Sequence, residues 1–167
     1  MTNASASAAS FSVAEIPFPP DSLTAFLDLC EGRWMSLRST FALDESDDWH
    51  NSERGEVAMT HTSLEANQYQ LNVADAAGQS LAALVFNADG SLHRHEGADT
   101  PAGQWQLRDD GSLELQFPAA DGAVVQERIW FTKPNLRLRS TTLMDGEGAP
   151  QQASFCSEIR RVTAPTS

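Results

Sequence analysis

Four Asp-Gly pairs separate short stretches of strand-like sequence, and this rhythm limits the fold more than any other feature of the chain. The pairs are Asp89-Gly90, Asp110-Gly111, Asp121-Gly122 and Asp145-Gly146. Asp-Gly between two apolar runs is a strong signal for a tight β-hairpin, because both residues tolerate a positive φ. Strands joined by such turns pair antiparallel. The sequence therefore predicts an antiparallel sheet that follows chain order.

Ten segments have the alternation and composition of strands. They are Arg33–Leu43, Arg54–His61, Gln68–Val73, Ser80–Phe86, Ser91–His95, Gln104–Arg108, Ser112–Phe117, Val124–Phe131, Leu136–Leu143 and Ala153–Val162. A meander of this length hides its edges best by closing on itself. A barrel of about eight to ten strands leaves room for one small ligand. We therefore predict an all-β fold, an up-and-down antiparallel barrel of the lipocalin-like kind with a ligand cavity.

One helix is predicted, from about Ser22 to Glu31. Its apolar residues follow the i, i+3, i+4, i+7 spacing of a single helical face and are Leu23, Phe26, Leu27 and Cys30. Asp21 or Ser22 can cap the first turn, and Gly32 can supply a left-handed exit. The apolar face must pack on something, and it can plug one end of the barrel.

The length of 167 residues suits one domain. Residues 1–20 are rich in Ala and Ser, end in three prolines and are predicted to form a flexible N-terminal arm. We assign residues 21–163 to the barrel domain and 164–167 to a short tail. The opening lacks the basic start and apolar core of a secretory signal.

Composition excludes several classes of function. A net charge of −12 argues against nucleic-acid binding, which needs a basic face. No apolar run approaches the roughly 18 to 20 residues that cross a bilayer, so we expect a soluble protein. Cys30 and Cys156 lack metal-ligand or redox spacing and are expected to be reduced thiols in the cytoplasm. His93 and His95 share a strand face without a third ligand, so no metal is predicted.

The strand after Pro134 alternates Leu136, Arg137, Leu138 and Arg139. Pattern alone favours the leucines in the core and the arginines in solvent. The reverse orientation would point two guanidiniums into the barrel, where they could hold ligand carboxylates. Periodicity leaves both orientations open.

The same ambiguity affects two other strands. In the first strand, Trp34 and Arg38 share one face while Met35 and Leu37 share the other. An inward Trp34 and Arg38 would suit a large conjugated acid, since they combine a flat apolar surface with a fixed cation. Glu127 is expected to face solvent, but an inward Glu127 would accept hydrogen bonds from ligand N–H groups.

Two long strings carry a resemblance to a known family. Glu127–Ser140 followed by Ala153–Arg160 closely resembles the C-terminal half of the CpcS/CpeS family of cyanobacterial bilin lyases, and Gly32–Ser39 is similar to that family's first strand. The resemblance extends from about Phe26 to Val162 and is loose between Leu43 and Asp121.

This resemblance implies a ten-stranded calycin-type barrel that binds a bilin, phycocyanobilin or phycoerythrobilin, and attaches it to a cysteine of a phycobiliprotein subunit. It implies that Arg38, Arg137 and Arg139 hold the bilin propionates. Glu127 would face the pyrrole nitrogens as the catalytic group, with an electrostatic or acid/base role. The predicted bilin-binding residues are Arg38, Arg137, Arg139, Trp34 and Trp130. The family works as homodimers or beside a paralogue, so both are possible partners.

Two alternatives remain at this stage. A lipid or fatty-acid carrier on the same barrel would explain one inward arginine, but not Glu127 beside two or three. A non-catalytic bilin chaperone or partner subunit of a heterodimeric lyase would share the motifs completely. Arg94 lies outside the motifs and is expected to be a surface residue. Neither cysteine is expected to carry the bilin covalently.

Overall fold

The computed structural model describes residues 12–44, 47–65, 67–95 and 102–162. Ten antiparallel strands close into a barrel in chain order, with the first strand hydrogen-bonded to the last. The strands are β1 (Gly32–Ala42), β2 (His50–Ser63), β3 (Tyr69–Asp75), β4 (Ser80–Phe86), β5 (Ser91–Arg94), β6 (Gly103–Leu107), β7 (Leu113–Pro118), β8 (Val124–Lys133), β9 (Leu136–Met144) and β10 (Pro150–Arg160). The predicted fold class is therefore confirmed.

All four Asp-Gly pairs lie in hairpin turns between consecutive strands. In three of these turns the glycine of the pair has a positive φ: Gly90 (89°), Gly111 (82°) and Gly122 (74°). In the last hairpin Gly148 has this conformation instead, at 85°. Since a side chain at positive φ costs free energy, these turns need glycine where they have it.

The helix α1 (Leu23–Cys30) closes one end of the barrel. The hydroxyl of Ser22 accepts a hydrogen bond from the backbone N–H of Ala25 at 3.2 Å, so Ser22 is the cap. Phe26 is fully buried and packs edge-on against Phe131 of β8 at a ring distance of 5.3 Å. The helix also buries Leu27, Leu29 and Cys30, and the same core cluster contains Phe86, Leu92 and Leu113 of the barrel. The predicted apolar face therefore fills this end of the barrel.

Part of the predicted flexible arm packs on the barrel. Residues 13–15 form a short 3₁₀ helix, and Val13 and Ile16 pack against the core. Pro19 and Pro20 lie so close to Gly111 that a Cβ there would clash with them. The expected arm therefore differs from the structure over residues 12–20, because apolar residues in this stretch cover the barrel wall. Its first eleven residues and the tail at 164–167 lie outside the described part of the chain.

Candidate functional site

A cavity of about 500 Å³ occupies the barrel between the helix-filled end and the opposite end. This volume is within the roughly 300–1,000 Å³ of ordinary small-molecule sites. The residues under the helix do not line it, so the cavity lies toward the end formed by the β1–β2, β3–β4, β7–β8 and β9–β10 connections. We take this interior cavity as the candidate ligand site.

The two sides of the cavity differ in chemistry. Strands β3, β4 and β7 contribute mainly apolar side chains, namely Leu71, Val73, Ala82, Leu84, Leu115 and Phe117. Strands β1, β9 and β10 contribute Ser36, Arg38, Arg137, Arg139 and Glu158. Such a cavity suits a ligand that is broad and apolar and also bears acidic groups.

Arg137 and Glu158 form a buried ion pair in the polar wall. The two residues face each other across β9 and β10, and each side chain is only 2% exposed. Nη1 of Arg137 donates to both carboxylate oxygens of Glu158, at 3.0 and 2.8 Å. Burial is the largest single effect and would lower the pKa of Arg137, but Glu158, Cys30 and Glu127 together outweigh it and raise that pKa. Both bonds use Nη1, which leaves the other guanidinium nitrogens for further partners.

Arg139 lies between two carboxylates on the next inward position of β9. Its Nη1 is 3.7 Å from Oε1 of Glu127, and its Nη2 is 3.7 Å from Oε1 of Glu158. Glu127 also accepts a hydrogen bond from the Thr141 hydroxyl at 3.3 Å. Glu127 lines the cavity and is not solvent-facing, contrary to the expectation from pattern alone. The structure therefore brings Glu127, Arg137 and Arg139 together through Glu158.

Arg38 lines the cavity from β1, where it pairs in register with Glu53 of β2 and Cys156 of β10. Unlike Arg137, it is solvent-exposed. All three predicted arginines line one cavity, and the outward orientation that pattern favoured is wrong for β1 and β9.

Two predicted tryptophans do not line the cavity. Trp34 faces inward but is fully buried at the helix end, where its Nε1 donates to the Cys30 carbonyl at 2.8 Å. The guanidinium of Arg160 lies 4.2 Å from the centre of its ring, so one face and the N–H of the indole already contact other protein groups. Trp130 lies on the outside of β8 and packs at 6.2 Å from the ring of Phe155. The prediction that Trp130 binds the ligand is wrong because side chains alternate along a strand, and Ile129 and Phe131 occupy the inward positions of β8.

Arg94 is the functional candidate that the sequence missed. It is not a surface residue: it lines the cavity from β5, with its guanidinium 5.9 Å from the Phe117 ring centre. In the closed strand order, β5 lies directly opposite β10. Asp75 and Glu53 were missed in the same way. One signal in the sequence could have predicted the inward position of Arg94. Side chains two residues apart in a strand share a face, so Arg94 lies on the same side of β5 as the buried Leu92.

The charges that line the cavity are balanced. Among the described lining residues whose side chains point inward, the arginines are Arg38, Arg94, Arg137 and Arg139, and the carboxylates are Glu53, Asp75, Glu127 and Glu158. The four arginines therefore face an equal number of carboxylates. A dianionic ligand would leave this site with excess negative charge, which a low-dielectric interior opposes unless protons enter too.

Both cysteines are free and buried. Burial raises the pKa of Cys30, so this thiol stays protonated at neutral pH. Cys156 lies beside the polar wall, with its Sγ 3.2 Å from the Ser36 hydroxyl and 3.6 Å from Glu158. Neither residue lines the cavity.

Within the described ranges, no group of three or more His, Cys, Asp or Glu residues is arranged to hold a metal ion. No helix in this part of the chain has the length and apolar character that crossing a membrane requires. A further concavity of about 390 Å³ lies outside β6–β9 and is lined largely by glutamines. We assign the ligand to the interior cavity, because only that one combines an apolar wall with several arginines.

A ten-stranded barrel plugged by one helix, with an arginine-lined interior cavity, defines a lipocalin-type binder of acidic apolar ligands. Residues 74–161 match the family model of CpeS-like proteins. The chain is 47% identical over 148 residues to chromophore lyase CpcS/CpeS 1 of Paulinella chromatophora, which covers 87% of this chain and 92% of that protein. The chain belongs to the CpeS-like family.

Two further comparisons agree. A second chromophore lyase CpcS/CpeS of Paulinella chromatophora is 40% identical over 91 residues, covering 50% of this chain and 44% of that protein. The solved structure of the S-type phycobiliprotein lyase CPES from Guillardia theta superposes with a TM-score of 0.60 at 21% identity, covering 87% of this chain and 96% of that one. That likeness supports the ten-stranded barrel fold.

Proposed function

We propose that this protein is a phycobiliprotein chromophore lyase, which binds phycocyanobilin or phycoerythrobilin and attaches it to a cysteine of a phycobiliprotein subunit. The observation that carries the proposal is the cavity itself, in which an apolar wall faces Arg38, Arg137 and Arg139. A bilin is apolar, conjugated and doubly anionic, so it needs both walls. We place the reaction in the cytoplasm, because Cys30 and Cys156 are both free thiols.

Arginines suit the propionates of such a ligand. A guanidinium offers a planar fork of donors that matches a carboxylate, and a charge-assisted hydrogen bond contributes roughly 1.5 to 3 kcal/mol. Arg38 is exposed and Arg139 is 21% exposed, so both can receive a propionate without a change in the wall. Arg137 is fixed by Glu158 and lies beside them. We assign the propionates to these three residues.

Glu127 is the proposed catalytic group. In the reaction, the sulfur of the acceptor cysteine bonds to the ethylidene carbon of ring A, a proton adds to the conjugated system, and no group leaves. Protonation of the bilin makes that carbon more electrophilic. Glu127 lies within the cavity at 3.7 Å from Arg139, where its carboxylate can stabilise a protonated pyrrole nitrogen. Positioning of the bilin supplies the rest of the rate enhancement.

The proposal is tested by titrating the protein with phycocyanobilin and phycoerythrobilin, and by co-expressing it with bilin synthesis enzymes and acceptor subunits. Covalent bilin on the acceptor, detected as a fluorescent band on a denaturing gel, is the expected result. Bilin binding without attachment would indicate a chaperone or a subunit that needs a paralogue. Binding of a fatty acid but of no bilin would indicate a lipid carrier and would contradict the proposal.

Bilin binding should take up protons, because the cavity charges are already balanced before a dianion enters. Proton uptake on binding means that affinity falls as pH rises. Calorimetry in buffers of different ionisation enthalpy should show about one proton bound. Titration of biliverdin dimethyl ester, which lacks both carboxylates, is the control. Equal proton uptake with the ester would contradict this explanation.

Arg94→Gln should weaken bilin binding, since Arg94 lines the same cavity from the side opposite β10. We expect a loss of about tenfold, the equivalent of one hydrogen bond to a charged group. The matched control is Arg108→Gln, because Arg108 is exposed and pairs with Glu114 outside the barrel. Identical dissociation constants for the two variants, measured by bilin titration, would remove Arg94 from the site.

The double variant Cys30→Ser, Cys156→Ser should keep most bilin transfer, because neither thiol lines the cavity and burial keeps Cys30 protonated. A stability loss of about 1–3 kcal/mol is expected where a hydroxyl replaces a packed thiol. Zinc-enhanced fluorescence of the acceptor band measures transfer. Loss of that band in a folded variant that still binds bilin would instead indicate a covalent intermediate on the lyase.

A further inference from the structure

The outside of β8, β9, β10 and β1 is a continuous apolar surface. The register places Met35 beside Ile159 and Leu138 between Ser157 and Trp130. The apolar side chains of this surface are Met35, Leu37, Trp130, Leu136, Leu138, Phe155 and Ile159. Met35 is 51% exposed and Ile159 is 53% exposed, so this is a surface and not a second core. Contiguous apolar patches on a protein surface mark interaction sites.

No acidic side chain faces outward on these four strands, all of which the structure describes in full. The only carboxylates in them are Glu127, which lines the cavity, and Glu158, which is buried. The whole chain has 23 acidic residues against 11 basic ones. We call the outer side of β8, β9, β10 and β1 the acid-free face.

Basic residues surround the acid-free face. They are Arg33, Arg54, Arg128, Lys133 and Arg161, all exposed. Arg161 pairs with Glu56 at 3.0 Å and Arg128 pairs with Asp110 at 2.8 Å, so two of the five are neutralised locally. The face therefore combines an apolar centre with a net positive rim on a protein whose overall charge is −12.

This charge distribution selects the partner. In a two-fold dimer the same patch meets itself, so the basic rims would face each other. A second copy could instead offer a different, acidic part of its surface. Such a head-to-tail contact leaves the same face free on the second copy, so copies would add on into filaments. A different protein with an acidic rim and an apolar centre fits without either problem, and opposite charges also speed its encounter with the face.

The face is close to the cavity. The strands β1 and β9 carry Arg38, Arg137 and Arg139 on their inner side and the acid-free face on their outer side. Their connections to β2 and β10 lie at the end of the barrel toward which the cavity extends. We infer that the acid-free face docks the acceptor phycobiliprotein subunit through an acidic, apolar-centred surface, beside the end from which the bilin leaves. This inference rests on the function proposed above.

The test compares Leu37→Asp and Ile159→Asp with Leu64→Asp, which adds the same charge at an exposed leucine away from the face. Each variant is assayed for bilin affinity and for the rate of covalent attachment at limiting acceptor, using the apo-subunit that the unaltered protein modifies. We expect the two face variants to lose attachment by at least about tenfold with bilin affinity unchanged, because a charge buried in an interface opposes association. Leu64→Asp should match the unaltered protein.

Electrostatic docking gives a second readout. Attachment by the unaltered protein should slow as salt is raised from 50 to 300 mM, and Arg33→Glu with Lys133→Glu should slow it at low salt. Unchanged attachment by Leu37→Asp and Ile159→Asp would overturn the inference. Sedimentation gives a further check. A dimer of the unaltered protein that becomes monomeric in Leu37→Asp would also overturn the inference, because the face would then be an interface between two copies of this chain. Absence of bilin binding by the unaltered protein would instead refute the proposed function itself.

Discussion

Arg137→Met is expected to lower the free energy of unfolding by about 3–5 kcal/mol, because the buried Glu158 carboxylate loses both of its hydrogen bonds from Arg137 and keeps the Arg139 guanidinium at 3.7 Å. Bilin binding should fall as well, by at least about tenfold, since one charged hydrogen-bond donor is lost from the cavity. Chemical denaturation measures the first effect and bilin titration measures the second. Arg108→Met, at an exposed ion pair outside the barrel, should change stability by less than about 1 kcal/mol.

The double variant Arg137→Met, Glu158→Met separates stability from binding. Replacing a whole buried ion pair by apolar side chains of similar size is often neutral or stabilising. Stability should therefore return close to that of the unaltered protein while bilin affinity stays low. If the double variant regains both, Arg137 only compensates Glu158 and makes no contribution of its own to the ligand.

Glu127→Gln is expected to reduce bilin attachment about 100-fold while bilin affinity changes little, in line with the usual size of acid–base contributions. Glutamine keeps the size of the side chain and can still accept the hydrogen bond of Thr141. It removes the negative charge that would stabilise a protonated bilin. Attachment to an acceptor subunit, followed by fluorescence over time, measures the rate.

Separate measurements of attachment rate and bilin affinity distinguish a chemical role of Glu127 from a structural one. Loss of the carboxylate charge lowers the attachment rate alone, whereas a packing defect lowers bilin affinity and stability as well. Glu114→Gln is the matched control, since Glu114 lies on the neighbouring strand and pairs with Arg108 outside the barrel. If Glu127→Gln is as active as Glu114→Gln, another group supplies the proton or the negative charge that stabilises the protonated bilin.

The fold was predictable because its determinants are local. Asp-Gly turns, period-2 alternation and one capped helix each act within a few residues, and consecutive hairpins leave a chain-order meander as the simplest topology. Strand ends differ from prediction by a few residues, and β2 begins at His50 where Arg54 was predicted. Its first residues pair with the far end of β1, which alternation alone does not reveal.

The tertiary structure determines which face of each strand points into the barrel. Alternation divides Arg137 and Arg139 from Leu136 and Leu138, but both sets satisfy the same period. The arginines face inward because Glu158 on β10 supplies a buried partner to Arg137, which leaves Leu136 and Leu138 half-buried on the outer side. Only the resemblance of the Glu127–Ser140 string pointed this way before the structure did.

The sequence alone determined the barrel and the helix that closes it, and its family resemblance singled out the arginines and the glutamate that we propose to hold a bilin. Only the tertiary structure decided that Glu158 joins them, that Arg94 lines the opposite wall, and that Trp34 and Trp130 do not line the cavity. The physical reason is range: turns and alternation act between neighbours in sequence, whereas Arg137 and Glu158 are 21 residues apart and meet only after β9 and β10 pair. A site inside a closed barrel exists only once its strands have joined.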